Sequence, residues 1–195
     1  MIILEGMDNS GKTTLAQRLL EEFSELRITK SCGHASVPDA LAWVAQAIRN
    51  EDPRMVYDRY FPISERVYGP ILRHADIFGS YTFDILSLTF RREPLIIYCR
   101  PPLFNISNWG ERDQMNGVKD RLVELSERYD WLMDLIREMY LNSALVVNYD
   151  YTNEKGYTRV SSAVRMYLKT HRMILPIRRE EHHVNIGQTA GEDRG

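Results

Sequence analysis

The chain has 195 residues, 44% of them hydrophobic and 27% charged, which is enough to fill one core and too little for two ordinary domains. Its 25 Lys and Arg residues nearly balance 27 Asp and Glu residues, for a formal net charge of -2, so no general basic field exists for a nucleic-acid backbone and such a partner is disfavoured. The two cysteines lack the spacing of a zinc site or a disulfide framework. No apolar stretch approaches the roughly 18 residues of a membrane span. We therefore expect a cytoplasmic protein and no membrane partner.

Short apolar runs separated by longer polar segments predict alternating strands and helices. The expected strands, in chain order, are Ile2 to Leu4, a weaker Leu26 to Thr29, Met55 to Tyr57, Leu95 to Cys99 and Ala144 to Tyr149. These runs are continuous rather than alternating, which is typical of strands buried on both faces of a sheet. We therefore predict an α/β protein with a parallel sheet.

Periodic apolar residues mark the helices between these strands. Helices are expected over Thr13 to Phe23, Asp39 to Ile48, two parts of Ser64 to Phe90 with a break near Asp76 to Gly79, Val118 to Met139, and Gly156 to Leu168. Beyond Pro176 the chain lacks the apolar residues that would offset the entropy of ordering. We expect one domain over residues 1–175 and a mobile tail over residues 176–195.

The first predicted strand runs directly into a glycine-rich segment that matches GxxxxGK[ST] without interruption, and a helical run begins at Thr14. Glycines let backbone N–H groups turn around an oxyanion, and a helix N-terminus adds its positive end. Lys12 can reach the β- and γ-phosphates, and the Thr13 hydroxyl can bind Mg²⁺. The predicted ligands of a nucleoside triphosphate are Gly6, Asp8, Asn9, Ser10, Gly11, Lys12, Thr13 and Thr14.

A second candidate site follows the third predicted strand, where the chain reads Asp58-Arg59-Tyr60. The carboxyl ends of parallel strands open into one crevice, so Asp58 and Arg59 are expected to face the same phosphates as the glycine-rich loop. Asp58 can hold Mg²⁺, and the Arg59 guanidinium can bind a second anion. The alternative is a surface ion pair between these two residues.

Together these motifs resemble the thymidylate kinase family of P-loop nucleoside monophosphate kinases. The resemblance rests on the glycine-rich loop with its internal acid and on the strand ending in Asp58-Arg59-Tyr60, followed by Ser64 and Tyr68. It extends to the strand and proline-bearing exit at Glu93 to Pro102, and covers roughly residues 1–170. It implies a three-layer α/β/α P-loop kinase fold with a five-stranded parallel sheet and a lid segment.

The same resemblance implies the chemistry. ATP and Mg²⁺ would be the cofactors, and the acceptor would be a (deoxy)nucleoside monophosphate, a pyrimidine such as dTMP or a modified analogue. In this family the Asp-Arg pair serves the metal and the acceptor monophosphate, and the loop acid lies near the acceptor sugar. By motif match these roles fall to Asp58, Arg59 and Asp8. The family also leaves a homodimer open, through an apolar stretch such as Ile77 to Leu86 that can equally be core.

A polar segment, Asn108 to Arg121, lies where such kinases keep a mobile lid, here about residues 105–121. Family members without an arginine in the P-loop carry one in the lid, which makes Arg112, Lys119 and Arg121 the candidates. With Lys12 and Arg59, Arg112 and Arg121 form the predicted catalytic set. A solvated loop with internal ion pairs is the alternative. The last strand leads into the family's adenine-contacting turn, where Tyr149 or Tyr151 can stack on a base or pack in the core.

The acceptor side departs from the family, since Lys30-Ser31-Cys32-Gly33-His34 replaces its Arg-Glu-Pro-Gly stretch. A deoxynucleoside kinase would need a carboxylate base at the end of the second strand, and no Asp or Glu occurs between Leu26 and Pro38. A kinase acting on a modified base in DNA or another small-molecule hydroxyl stays an alternative, with a local groove of Arg66, Arg73, His74, Arg91 and Arg92. A non-catalytic nucleotide-binding module would not require the intact set of Lys12, Thr13, Asp58 and Arg59.

Overall fold

A five-stranded parallel sheet forms the centre of the protein. The computed structural model describes residues 1–30, 36–50, 52–107, 116–141 and 143–172. The strands are β1 (Ile2–Glu5), β2 (Arg27–Lys30), β3 (Met55–Asp58), β4 (Leu95–Cys99) and β5 (Leu145–Tyr149), in the spatial order β2-β3-β1-β4-β5. Every neighbouring pair is parallel. The predicted sheet is confirmed.

Helices connect the strands. They are α1 (Lys12–Glu22), α2 (Val37–Arg49), α3 (Phe61–Tyr68), α4 (Thr82–Phe90), α5 (Leu103–Ser107), α6 (Leu122–Met139) and α7 (Glu154–Arg172). A π-helical turn, Gly69–Arg73, and a 3-10 turn, Gly79–Tyr81, lie between α3 and α4. The predicted break between two helices in this region is therefore confirmed.

Two helix predictions need correction. The long helix begins at Leu122, not at Val118, because the backbone of Arg121, with φ -115° and ψ 22°, is not helical and separates the turn before it from α6. Val118 nevertheless is fully buried, so its apolar character reflects the core and not the helix. The short helix α5 was not predicted; it follows β4, overlaps the start of the predicted lid segment and is too short for a periodic apolar pattern.

Alternation along the strands divides the core into two faces. Ile2 and Leu4 of β1 pack with α1 and α7, whereas Ile3 packs with α3, α4 and α6. In β4, Leu95 and Ile97 lie on the first face. The predicted three-layer α/β/α arrangement follows from this division. Because side chains alternate along a strand, Glu5 at the end of β1 lies on the same face as Ile3, which α3 and α6 cover.

The prediction that all strands are buried on both faces holds only for the central part of the sheet. Every residue of β1 and β4 is buried, but β2 and β5 are the edge strands, and Leu145 is 54% exposed. Within the apolar stretch from Ile77 to Leu86, Phe78 and Leu86 are core residues and Tyr81 is exposed. A homodimer remains a prediction. No helix among the described residues could span a membrane.

We expect Leu19→Ala to lower the free energy of unfolding by about 2–5 kcal/mol, because a fully buried leucine on α1 leaves a cavity against the sheet. Leu20→Ala is the matched control. The Leu20 side chain on the same helix is 37% exposed, so a loss below about 1 kcal/mol is expected. Urea denaturation followed by circular dichroism measures both, and equal losses would contradict this packing of α1.

Candidate functional site

A cleft opens at the carboxyl ends of β1, β2 and β3, the edge where parallel sheets bind ligands. The residues that line it are Asp8, Asn9, Ser10, Gly11, Lys12, Thr13, Thr14, Lys30, Asp58, Arg59 and Tyr151. The structure thus brings together the glycine-rich loop and the Asp58-Arg59 pair, as expected from the sequence. Lys30 is a cleft residue that the sequence prediction missed; its position at the end of a predicted strand was the available signal.

The glycine-rich loop owes its shape to left-handed backbone at Gly6, Asn9 and Gly11, whose φ values are 137°, 61° and 86°. A Cβ at Gly6 would collide with the carbonyl oxygen of Cys99, so only glycine fits there. Asn9 stays in this conformation with its side-chain amide donating to the carbonyl oxygen of Ile106 at 3.2 Å. At the start of α1 no side chain caps the helix, which leaves its first N–H groups for an anion.

Lys12 is buried in the loop and donates to three neutral oxygens. Its Nζ lies 2.9 Å from the carbonyl oxygen of Gly6, 2.5 Å from that of Met7 and 3.3 Å from the hydroxyl of Ser10. Burial lowers the pKa of Lys12 to about 8, and the nearby Arg59 cation lowers it as well. A charged phosphate oxygen can displace such neutral partners and would favour the ammonium form.

Arg59 reaches the same loop from the end of β3. Its guanidinium donates to the carbonyl oxygen of Gly6 at 3.2 Å, to the Tyr129 hydroxyl at 3.3 Å, and to the Asp8 carboxylate. Lys12 and Arg59 therefore converge on one carbonyl oxygen, that of Gly6. Two cations this close repel each other, and a bound anion would relieve that repulsion. The carboxylate partner of Arg59 is Asp8, so the alternative of an Asp58-Arg59 ion pair is not what forms.

The predicted metal ligands Thr13 and Asp58 both line the cleft. The described part of the chain holds no group of three or more His, Cys, Asp or Glu side chains that could cage a metal. Mg²⁺ is commonly held by one or two protein oxygens together with substrate phosphates. One hydroxyl and one carboxylate beside a phosphate loop fit that pattern.

The lid residues are only partly described. Arg112 lies outside the described residues, as do the centre of the lid and the tail at 176–195. Arg121 directly precedes α6, pairs with Glu124 and does not line the cleft. Its catalytic role stays a prediction.

The two tyrosines at the end of β5 lie in different environments. Tyr149 is 2% exposed and packs in the core. Tyr151 lines the cleft and covers the loop, since a Cβ added at Gly11 would lie 2.8 Å from its ring. Of these two tyrosines, Tyr151 is the one that lies beside the glycine-rich loop.

A buried carboxylate beneath the cleft, Glu5, is absent from the predicted site. Its oxygens accept hydrogen bonds from the Tyr60 N–H at 2.6 Å, the Ser64 hydroxyl at 3.1 Å and the Tyr129 hydroxyl at 3.0 Å. Burial raises the pKa of Glu5, and the Arg59 cation opposes that shift. The signal in the sequence is a charged residue that ends an otherwise apolar strand.

Comparisons with known proteins place the fold. The sequence matches no known family and no curated protein. The structure is similar to the YorR protein of Bacillus subtilis in complex with phosphorylated GDP, with a TM-score of 0.65, 16% identity, and coverage of 88% of this chain and 97% of that chain. Thymidylate kinase of Candida albicans has a TM-score of 0.52 and 16% identity, with coverage of 88% of this chain and 91% of that chain. Deoxyadenosine kinase of M. mycoides with bound dCTP has a TM-score of 0.50 and 15% identity, with coverage of 89% of this chain and 100% of that chain.

The fold is that of nucleotide kinases. The resemblance to thymidylate kinases predicted this fold, and the structural similarity extends over nearly all of each neighbour.

Anion binding in the cleft should depend on pH through Lys12. A bound anion favours the ammonium form, so it raises the Lys12 pKa above its ligand-free value of about 8. Below that pH the proton is already present. Above it, binding takes up a proton, and affinity should fall by up to about tenfold per pH unit.

Calorimetric titration with sulfate, which has no titratable proton of its own in this range, from about pH 7 to about pH 9.5 and in two buffers of different ionisation enthalpy, measures both affinity and proton uptake. Lys12→Arg is the control, because a guanidinium keeps its charge throughout this range. The slope above about pH 8 should disappear in that variant. A slope that persists would assign the proton to another group.

Proposed function

We propose that the protein is a nucleoside monophosphate kinase. It transfers the terminal phosphoryl group of ATP to a (deoxy)nucleoside monophosphate, a pyrimidine such as dTMP or a modified analogue, and releases ADP and the diphosphate. The observation that carries this proposal is the convergence of Lys12 and Arg59 on the Gly6 carbonyl oxygen. One cation belongs to the triphosphate loop and the other to the acceptor side of the cleft.

On the donor side, the loop N–H groups and Lys12 bind the phosphates of ATP. Lys12 stabilises the charge that spreads over the transferred phosphoryl oxygens. Thr13 and Asp58 would hold Mg²⁺, which neutralises charge on the phosphate oxygens. Tyr151 lies where it can contact the nucleotide beside Gly11.

On the acceptor side, Arg59 binds the monophosphate in exchange for part of its contact with Asp8. Lys30 supports an anionic acceptor. It ends β2, pairs in register with Asp58 and lines the same cleft. A deoxynucleoside kinase would need a carboxylate base at the end of β2, and the residue at that position is Lys30. An acceptor phosphate is already an oxyanion and needs no such base.

The alternatives have less support. In the local basic groove considered for a DNA acceptor, Arg66 pairs with Asp76, and Arg73 pairs with the buried Glu65. These cations already have carboxylate partners, which reduces their attraction for a nucleic-acid backbone. A binding module alone would not require two converging cations. The similar structures are described with both purine and pyrimidine nucleotides: a phosphorylated GDP, thymidylate, and deoxyadenosine with dCTP. The acceptor test must therefore include purine as well as pyrimidine monophosphates.

We further propose that the kinase domain spans residues 1–175 and that residues 105–121 form a lid over the cleft; the predicted tail, residues 176–195, lies outside the described residues. A closing lid excludes water and brings guanidinium groups to the transferred phosphoryl. Arg112 and Arg121 are the proposed groups. Arg121 pairs with the exposed Glu124, a contact of little energetic value that lid closure can exchange.

The proposal is tested by comparing nucleoside monophosphates with nucleosides as phosphoryl acceptors. With ATP and Mg²⁺, deoxynucleoside monophosphates should yield ADP and the diphosphate, and the matching nucleosides at most a trace. Arg59→Ala should raise the acceptor KM by roughly 10- to 100-fold, the worth of a charge-assisted contact, with the ATP KM nearly unchanged. Lys12→Ala should lower kcat by on the order of a hundredfold in a folded protein.

A coupled assay of ADP release over a panel of nucleosides and their monophosphates measures these values. Circular dichroism verifies the fold of each variant. A nucleoside that turned over as well as its monophosphate would falsify the acceptor assignment. Normal turnover by Lys12→Ala would remove the kinase proposal altogether.

The lid proposal predicts a different kinetic pattern. Arg112→Ala and Arg121→Ala should lower kcat more than they weaken ATP binding, because a lid arginine acts in the closed arrangement. Arg137→Ala is the control, since this arginine of α6 contacts Asp134 and Asn148 outside the lid. Single-turnover rates and ATP titration separate the two effects. An unchanged kcat in both lid variants and in Lys119→Ala would exclude the lid role.

A further inference from the structure

Arg59 has a backbone conformation that only its surroundings can maintain. Its φ of 71° lies in the left-handed region, which an arginine seldom adopts. Strand β1 holds the turn on both sides, since the Arg59 N–H donates to the carbonyl oxygen of Leu4 at 3.0 Å and the next N–H, of Tyr60, donates to the Glu5 carboxylate at 2.6 Å. Such conformations persist where several contacts over-determine them. Glu5 therefore fixes the turn from which the guanidinium extends.

The Glu5 carboxylate is completely buried on the sheet face covered by α3 and α6. All of its partners are donors: one backbone N–H and two hydroxyls, from Ser64 and Tyr129. A set of donors suits an ionised carboxylate, and a buried carboxylate is tolerated when it is hydrogen-bonded and near cations. Glu5 can thus balance part of the charge of Lys12 and Arg59.

Tyr129 connects this carboxylate to the guanidinium. The Arg59 Nη1 donates to the Tyr129 hydroxyl at 3.3 Å, and that hydroxyl donates to Glu5 at 3.0 Å. The Tyr129 ring is fully buried, stacked on Tyr98 at 5.9 Å and edge-on to Tyr68 at 6.0 Å. Neighbouring rings therefore fix the hydroxyl, and the hydroxyl fixes one arm of the guanidinium.

We propose that Glu5 and Tyr129 are a positioning pair that aims Arg59 at the phosphate loop. Neither touches the reacting atoms; both act through Arg59. The pair also links the acceptor arginine to α6, the helix that follows the lid segment. This inference rests on the proposed function for its kinetic readout, and its test includes a binding measurement that needs no turnover.

Tyr129→Phe removes only the bridging hydroxyl and keeps the buried ring. The acceptor KM should rise by roughly tenfold, the worth of one hydrogen bond to a charged group, and the ATP KM should change less than about twofold. Tyr98→Phe is the matched control, because its hydroxyl on the stacked ring bonds Asp130 at 2.8 Å and not Arg59. Its acceptor KM should stay within about twofold of the wild type. Glu5→Gln keeps the volume and removes the charge, and it should raise the acceptor KM at least as much as Tyr129→Phe.

A double-mutant cycle separates positioning from a general structural role. In the Arg59→Ala background, Tyr129→Phe should change the acceptor KM by less than about twofold, because its target is gone. A loss that is equal in both backgrounds, or equal to that of Tyr98→Phe, would overturn the proposal. Thermal melting of each variant detects a loss of fold, and Tyr129→Phe tests the pair if Glu5→Gln does not fold.

The same cycle is measured by calorimetry with pyrophosphate. Tyr129→Phe should weaken pyrophosphate binding in the presence of Arg59 and leave it unchanged in Arg59→Ala. If the wild type phosphorylates no monophosphate, the proposed function fails, and this binding cycle alone supports or refutes the positioning pair. If turnover is normal and the cycle shows no coupling, only the positioning pair fails.

Discussion

Two cations share one carbonyl oxygen in this protein, and the site is built around that proximity. Lys12 and Arg59 both donate to the oxygen of Gly6, in a position where burial makes charge costly. Two carboxylates lie near them: Asp8 in the loop pairs with Arg59, and the buried Glu5 interacts electrostatically with both cations. The arrangement leaves the cleft attractive to an additional anion, since a phosphate would replace neutral carbonyl oxygens as the partner of Lys12.

The order of the strands makes this proximity possible. Because β1 lies between β3 and β4, the glycine-rich loop after β1 lies beside the turn after β3. The contact between Arg59 and Gly6 joins residues 53 positions apart in the chain. The parallel direction of the strands brings both turns to one edge, and the helix packing on each face keeps that edge open. The chemistry of the site thus depends on the sheet more than on any single loop.

The face of each strand matters as much as its place. Alternation along β1 directs Ile2 and Leu4 to the layer of α1 and α7, and Glu5 to the layer of α3 and α6. Glu5 therefore meets the first residues of α3 and a tyrosine of α6, and not the helix of the phosphate loop. A single position of register would move this carboxylate to the other face. The buried network links Arg59 at the end of β3 to Tyr129 of α6.

The sequence by itself determined those features that depend on neighbouring residues. The phosphate loop, the five strands and most of the helices were predictable, because glycine spacing and apolar periodicity act over a few residues. Even there, the non-helical backbone of Arg121 shortened α6, and the edge strands β2 and β5 were more exposed than a continuous apolar run indicates. Only the tertiary structure decided that Arg59 pairs with Asp8 and not with Asp58, that Lys30 lines the cleft, and that Glu5 contacts Tyr129 across 124 positions of the chain. Such contacts depend on the order of the strands and on the face of the sheet that each side chain occupies. Local sequence patterns specify neither.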